Sequence, residues 1–285
     1  MGEVEDHEFK PRPSHLLPIF LGLLATGVLG IPLISSGAPQ APVTPFSGND
    51  LTSASLDALI LVLALAASAT LMLLLIRRGR MSFIRQMIKA ALVIVSFAVS
   101  FWYTTSVLPS PLDPTSDAAL VFYVGISALI AALIGLAVFG KGRTRQLFGV
   151  TALSSLTGMF LGYSIGLITA LVLIGALVVY DIVAVFRGPV GALAKTVESG
   201  DLPGAMFTYG DLTIGMGDLV FYSLVATTAL VTFGLFSFVG AAVGILIGTF
   251  LGFKALSRYE MFPGLPFSLL LGVAGMLLVA WLQGL

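Results

Sequence analysis

Apolar residues run through this chain in stretches of about 20, the length a helix needs to cross a hydrocarbon core. Charged residues and clusters of proline, glycine and serine separate them. Cutting at those breaks predicts helices at 16–34, 56–76, 88–108, 118–140 and 147–163. The second half continues with 165–186, 212–236, 238–253 and 263–283. The joints after Tyr163 and Phe236 have almost no polar residue to mark them. The expected class is all-α, a polytopic membrane protein with about nine transmembrane helices.

Composition agrees. Of 285 residues, 58% are hydrophobic and 10% charged, and mean hydropathy is +1.06. That is not a soluble balance. Lipid must cover the surplus. No tandem repeat is visible, and no basic block suggests nucleic acid. With no cysteine there is no disulfide framework, thiol nucleophile or thiolate metal site. The opening MGEVEDHEFKPRPS is too acidic for a secretory signal peptide. Residues 1–15 read as a cytosolic tail, 16–163 as a five-helix region and 165–285 as a four-helix region. The latter contains a short cytosolic loop at 187–211, with one amphipathic turn or two expected over 190–197.

Charge then orients the chain. With the N-terminus inside, all 14 Lys and Arg residues fall on inside segments. They are Lys10 and Arg12; Arg77, Arg78, Arg80, Arg85 and Lys89; Lys141, Arg143 and Arg145; Arg187 and Lys195; Lys254 and Arg258. The opposite loops hold none, as the positive-inside rule requires. The expected location is the cell membrane, with the N-terminus cytosolic and the C-terminus outside.

Two acids interrupt apolar runs. Asp181 in VVYDIVAVF lies about 8 Å from the inside end of the sixth helix at 1.5 Å per residue. Asp218 in IGMGDLVFYS lies roughly 9 Å into the seventh by the same rise. A short inside loop joins those antiparallel helices, so both carboxylates arrive at one depth near one face. The other acids, among them Asp57, Asp113, Asp117, Glu198 and Glu260, map to helix ends or loops. Burying a carboxylate in a membrane costs several kcal/mol, and a chain rarely keeps two without use. Each alone could cap a helix or reach toward water. Together, with no intramembrane Lys or Arg to pair with, they are left to each other, and two such carboxyls share a proton.

A proton-sharing pair can activate water on an amide: the ionised Asp takes a proton from water while its partner donates to the carbonyl oxygen. The inventory removes other peptide-cutting chemistries. His7 and His15 sit in the tail or at the edge of the first helix, no HExxH supplies a zinc site, and no span holds a lysine for a Ser–Lys dyad. No metal or cofactor is implied. The rival is a proton- or cation-coupled transporter using the same carboxylates, which predicts broken helices at the midplane and an inverted repeat. A non-catalytic scaffold is a third reading.

Neighbouring residues have two readings each. Gly215 and Gly217 would let another backbone approach Asp218, or would serve helix packing. Tyr180 would donate a hydrogen bond to Asp181, or anchor the helix at the interface. Pro263, Gly264, Leu265 and Pro266 open the last helix. They are either an ordinary proline start or a non-helical lead-in whose unpaired carbonyls hold an extended substrate.

With these stretches quoted, the chain resembles presenilin and the wider family of GxGD intramembrane aspartyl proteases. VYDIVAVF resembles the family's YD helix, and the following RGPVGAL and TVES are also presenilin-like. GMGDLVFYS is similar to the GxGD motif, and PGLPFS to the PALP motif, with Gly264 where alanine is usual. The likeness covers residues 178 to about 275; earlier helices match only in count and orientation.

The resemblance implies a presenilin-like fold with Asp181 and Asp218 as the catalytic pair. It also implies support from Pro263–Pro266 and hydrolysis within transmembrane helices of other proteins, with no cofactor. The arginine placement favours the presenilin orientation over that of signal peptide peptidase, and so substrates with N-termini outside. The short loop between the aspartates implies a compact, unprocessed, microbial-type homologue that needs no accessory subunits.

Overall fold

The structure, a computed structural model, describes residues 11–40, 50–109, 116–187, 206–209, 212–257 and 263–285. A 3-10 turn, Pro13–Leu16, leads into α1 (Leu17–Ser35). Then come α2 (Leu51–Arg77), α3 (Met81–Val107), α4 (Asp117–Val138), α5 (Arg143–Ser164) and α6 (Leu167–Arg187). A hairpin of β1 (Met206–Tyr209) and β2 (Leu212–Gly215) precedes α7 (Met216–Phe233), α8 (Leu235–Leu256) and α9 (Leu265–Leu282). Among the described residues, 9 helices are long and apolar enough to span a membrane. The chain is a multi-pass membrane protein. The amphipathic turn expected over 190–197 lies outside the described residues, as do Lys10, Asp113, Lys195, Glu198, Arg258 and Glu260.

Apolar length alone misplaced several helix starts. The second helix begins at Leu51 rather than 56, because Asp50 accepts from the N–H groups of Thr52 and Ser53 at 3.2 and 3.3 Å. That is a side-chain cap, which hydropathy does not register. Asp57 consequently sits in the second turn and is fully buried, not at a helix end. The third helix begins at Met81 rather than 88, so Arg85 and Lys89 lie on it; both are good helix formers. The joint expected after Phe236 falls at Gly234, where φ is +87° and a side chain would be strained.

The seventh helix is the largest correction. Residues 212–215 are a strand, paired Met206↔Gly215 through Tyr209↔Leu212, and the helix starts at Met216. Asp218 therefore occupies its first turn, not a position six residues in. The sequence signal was present, since Gly210-Asp211 separates two short runs and such a dipeptide favours a two-residue hairpin.

One core joins both halves of the chain. α7 runs through its centre and buries Tyr222 through Leu230 on every side, as a helix that is apolar all round must. α1, α5, α8 and α9 surround it. Glycines set how closely they approach, as in other membrane bundles. A Cβ on Gly158 or Gly162 of α5 would meet the Val220 or Leu224 carbonyl of α7. A Cβ on Gly244 or Gly248 of α8 would meet the Leu271 or Phe267 carbonyl of α9. α6 lies further out, packed on α2 and on the start of α9 and touching α7 only sparingly.

Candidate functional site

α6 presents its apolar face inward through Ala170, Leu173, Ile174, Leu177, Val178 and Ala184, all buried. Asp181 falls on this stripe at helical spacing, while Val179, Ile182 and Val183 face outward and are exposed. A carboxylate reaching for lipid headgroups would sit on the outer face. Asp181 turns toward α9 instead, where its Oδ2 accepts the Leu265 N–H at 3.1 Å.

That hydrogen bond explains the Pro-Gly-Leu-Pro stretch better than its carbonyls do. Pro263 and Gly264 are non-helical, and Leu265 is the first residue of α9. The first N–H groups of any helix lack internal partners, and Pro266 has none to offer. Leu265 supplies the exposed donor, and Asp181 caps it from another helix. The Ser268 hydroxyl lies 3.1 Å from both the Gly264 and the Leu265 oxygens. Pro263, Leu265 and Pro266 are buried and Gly264 is exposed.

Asp218 is fixed from the opposite side. The Ser154 hydroxyl of α5 donates to the Met216 carbonyl at 3.3 Å, securing the turn that carries the aspartate. Ser155 beside it donates to Gly22 of α1 at 2.8 Å. A Cβ on Gly215 would come within 3.5 Å of Asp218 Oδ2, an ordinary contact, and one on Gly217 or Gly264 would meet nothing within 4 Å. These glycines keep the approach to the carboxylates open rather than relieving a clash.

Asp181 and Asp218 are carried by α6 and α7, which touch, and both are half-buried. The arrangement brings together two carboxyl groups, one N–H donor and an open approach between three helix segments. Helix-dipole stabilisation, about 0.3–1 kcal/mol for a first-turn acid, accounts for the place of Asp218. It does not reach Asp181, which lies in the body of α6.

Other candidates come out less simply. Tyr180 is half-buried, with no hydrogen bond to Asp181 among the described residues. His15 lies in the turn at the edge of the first helix, as expected, and is buried. Its Nδ1 accepts the Arg12 N–H at 3.3 Å, and its ring meets Phe253 of α8 edge-on. Among the described residues no cluster of three or more His, Asp or Glu could hold a metal ion. Sequence reasoning missed Tyr222 and Ser268, which meet beneath the aspartates. The signal was the spacing of Tyr222 four residues after Asp218 and of Ser268 three after Leu265, which puts each on the same helix face.

No family model matches the chain, and neither does any curated protein sequence. Solved structures do match. A presenilin family intramembrane aspartate protease, in its C222 crystal form, superposes with a TM-score of 0.64 at 23% identity, covering 94% of this chain and 99% of that one. The same description in space group P2 gives 0.61 at 24% identity, covering 94% and 98%. The likeness runs through the first five helices as well as the last four. The chain has the presenilin-type fold.

Proposed function

We propose that this protein is an intramembrane aspartyl protease of the GxGD type, with Asp181 and Asp218 as its catalytic pair. The observation carrying the proposal is the placement of two half-buried carboxyl groups on touching helices α6 and α7, one of them held by the Leu265 N–H of α9, in a chain of this fold. One carboxylate takes a proton from water, and the other, holding the shared proton, donates it to the scissile carbonyl oxygen. The resulting diol collapses with protonation of the leaving amine.

The Leu265 N–H holds the Asp181 carboxylate against the start of α9, and the open sides of Gly217 and Gly264 admit a backbone. A transmembrane substrate must be unwound first, since its amides are internally paired and each exposed group costs several kcal/mol in lipid. The hairpin leading into Asp218 and the 263–266 segment supply backbone groups for an extended substrate. Substrates are transmembrane segments with N-termini outside, the enzyme's N-terminus is cytosolic in the cell membrane, and no accessory subunit is needed. Nothing described favours the transporter reading.

The test is incubation of purified protein in detergent with a tagged transmembrane helix. Asp181→Asn and Asp218→Asn should each lose cleavage by at least 10²-fold, because acid and base roles are both required. Retained cleavage in either variant sinks the assignment. The rate should be bell-shaped in pH, with both limbs belonging to the pair; a steady climb into alkali argues against it. Substrate helices with glycine or proline near the inside end should be cut faster than poly-leucine.

A further inference from the structure

Beneath the aspartates, two buried hydroxyls from two helices meet. Tyr222 of α7 and Ser268 of α9 are 3% and 0% exposed. Ser268 donates to Tyr222 Oη at 3.0 Å, which joins the start of α9 to α7. Thr249 of α8, 3% exposed, gives its own proton to the Ile245 carbonyl at 2.8 Å.

The position of the Tyr222–Ser268 pair matters most. Tyr222 stands one turn below Asp218 on the same face of α7. Ser268 stands one turn below Leu265, whose N–H holds Asp181. The α8–α9 contact through Gly244 and Gly248 is already backbone-tight. α6 makes little contact with α7, so the separation of the two carboxyl groups depends on how α9 is set against α7.

We propose that Tyr222 and Ser268 form a hydroxyl clasp that fixes the start of α9 against the start of α7 and thereby sets the spacing of the aspartate pair. Tyr222 is a positioning residue: it makes no hydrogen bond to either aspartate among the described residues. The clasp deepens the protease reading and rests on it for its kinetic consequences, whereas its geometry can be measured without any cleavage.

Tyr222→Phe keeps the ring, and the fold should survive, because Ser268 retains the Gly264 and Leu265 carbonyls and Thr249 retains Ile245. Its kcat should fall roughly ten- to hundredfold, the scale of a sub-ångström to 1 Å misplacement, with KM unchanged and the pH–rate profile shifted. Ser268→Ala should behave alike, and Ser268→Thr, which keeps the hydroxyl, should restore the parent rate.

The chain has no cysteine, so Gly217→Cys and Gly264→Cys, both at open positions, can each carry a nitroxide. The label-to-label distance distribution should be narrow in the otherwise unaltered chain and broad with Tyr222→Phe. An unchanged distribution overturns the clasp, as does an unchanged kcat or a loss confined to thermal stability. If the parent cuts no substrate, the protease reading fails, and the distances alone still decide the clasp.

Discussion

Asp218 and Asp181 sit in neighbourhoods of opposite character. Asp218 rides on the central helix of the bundle, where α5 presses glycine against the α7 backbone and Ser154 holds the Met216 carbonyl. Asp181 rides on an outer helix supported by α2, itself buried only at residues such as Ala54, Asp57 and Ala58. Its described tie to the central bundle is the Leu265 N–H. Two carboxyl groups held this way make one fixed and one adjustable member. A small displacement of α6 changes their spacing while leaving the α5–α7 and α8–α9 contacts in place.

The contrast can be broken most forcefully at the glycines. Gly158→Val forces α5 off α7, and thermal unfolding in detergent should register a loss of about 1–3 kcal/mol or more from overpacking. Gly217→Ala, where nothing lies within 4 Å, should be neutral or gain up to about 1 kcal/mol from helix propensity. Equal losses at the two positions would remove the distinction between fixed and open ground.

A smaller effect is expected on the adjustable side. Asp181→Asn keeps an oxygen for the Leu265 N–H, whereas Asp181→Ala leaves the start of α9 uncapped. The alanine variant should be less stable than the asparagine variant by about 0.5–2 kcal/mol, the range for lost helix caps. Both should be inactive. If their melting temperatures coincide, the hydrogen bond does not secure α9.

The smallest effect sharpens the picture of α2. The Ser53 hydroxyl, at 2.7 Å, holds the exposed Asp50 carboxyl below its ordinary value, with help from the Ser53 and Thr52 amides. A depressed native value means the cap is complete above the unfolded range near 4 and is lost as pH falls through the native one. Amide exchange at Thr52 and Ser53 should therefore accelerate on acidification, beyond the intrinsic trend, more than in Asp50→Asn. Equal behaviour in the two proteins would mean that the cap does not titrate.

Apolar length by itself determined that this chain crosses a membrane about nine times, because lipid demands about 20 apolar residues per helical span. It also isolated Asp181 and Asp218, since charge within such runs is costly enough to be conspicuous. Helix starts were legible only where hydropathy changed with them. The Asp50 cap and the 206–215 hairpin escape hydropathy because both are made by hydrogen bonds, and their signals, an Asp before the helix and the Gly210-Asp211 dipeptide, lie in turn chemistry instead. The tertiary structure alone decided that Asp181 meets the backbone of α9, and that Tyr222 and Ser268 join beneath the pair. Those contacts link residues far apart in the chain, and what brings them together is glycine-to-carbonyl packing between helices, a relation no single helix's sequence contains.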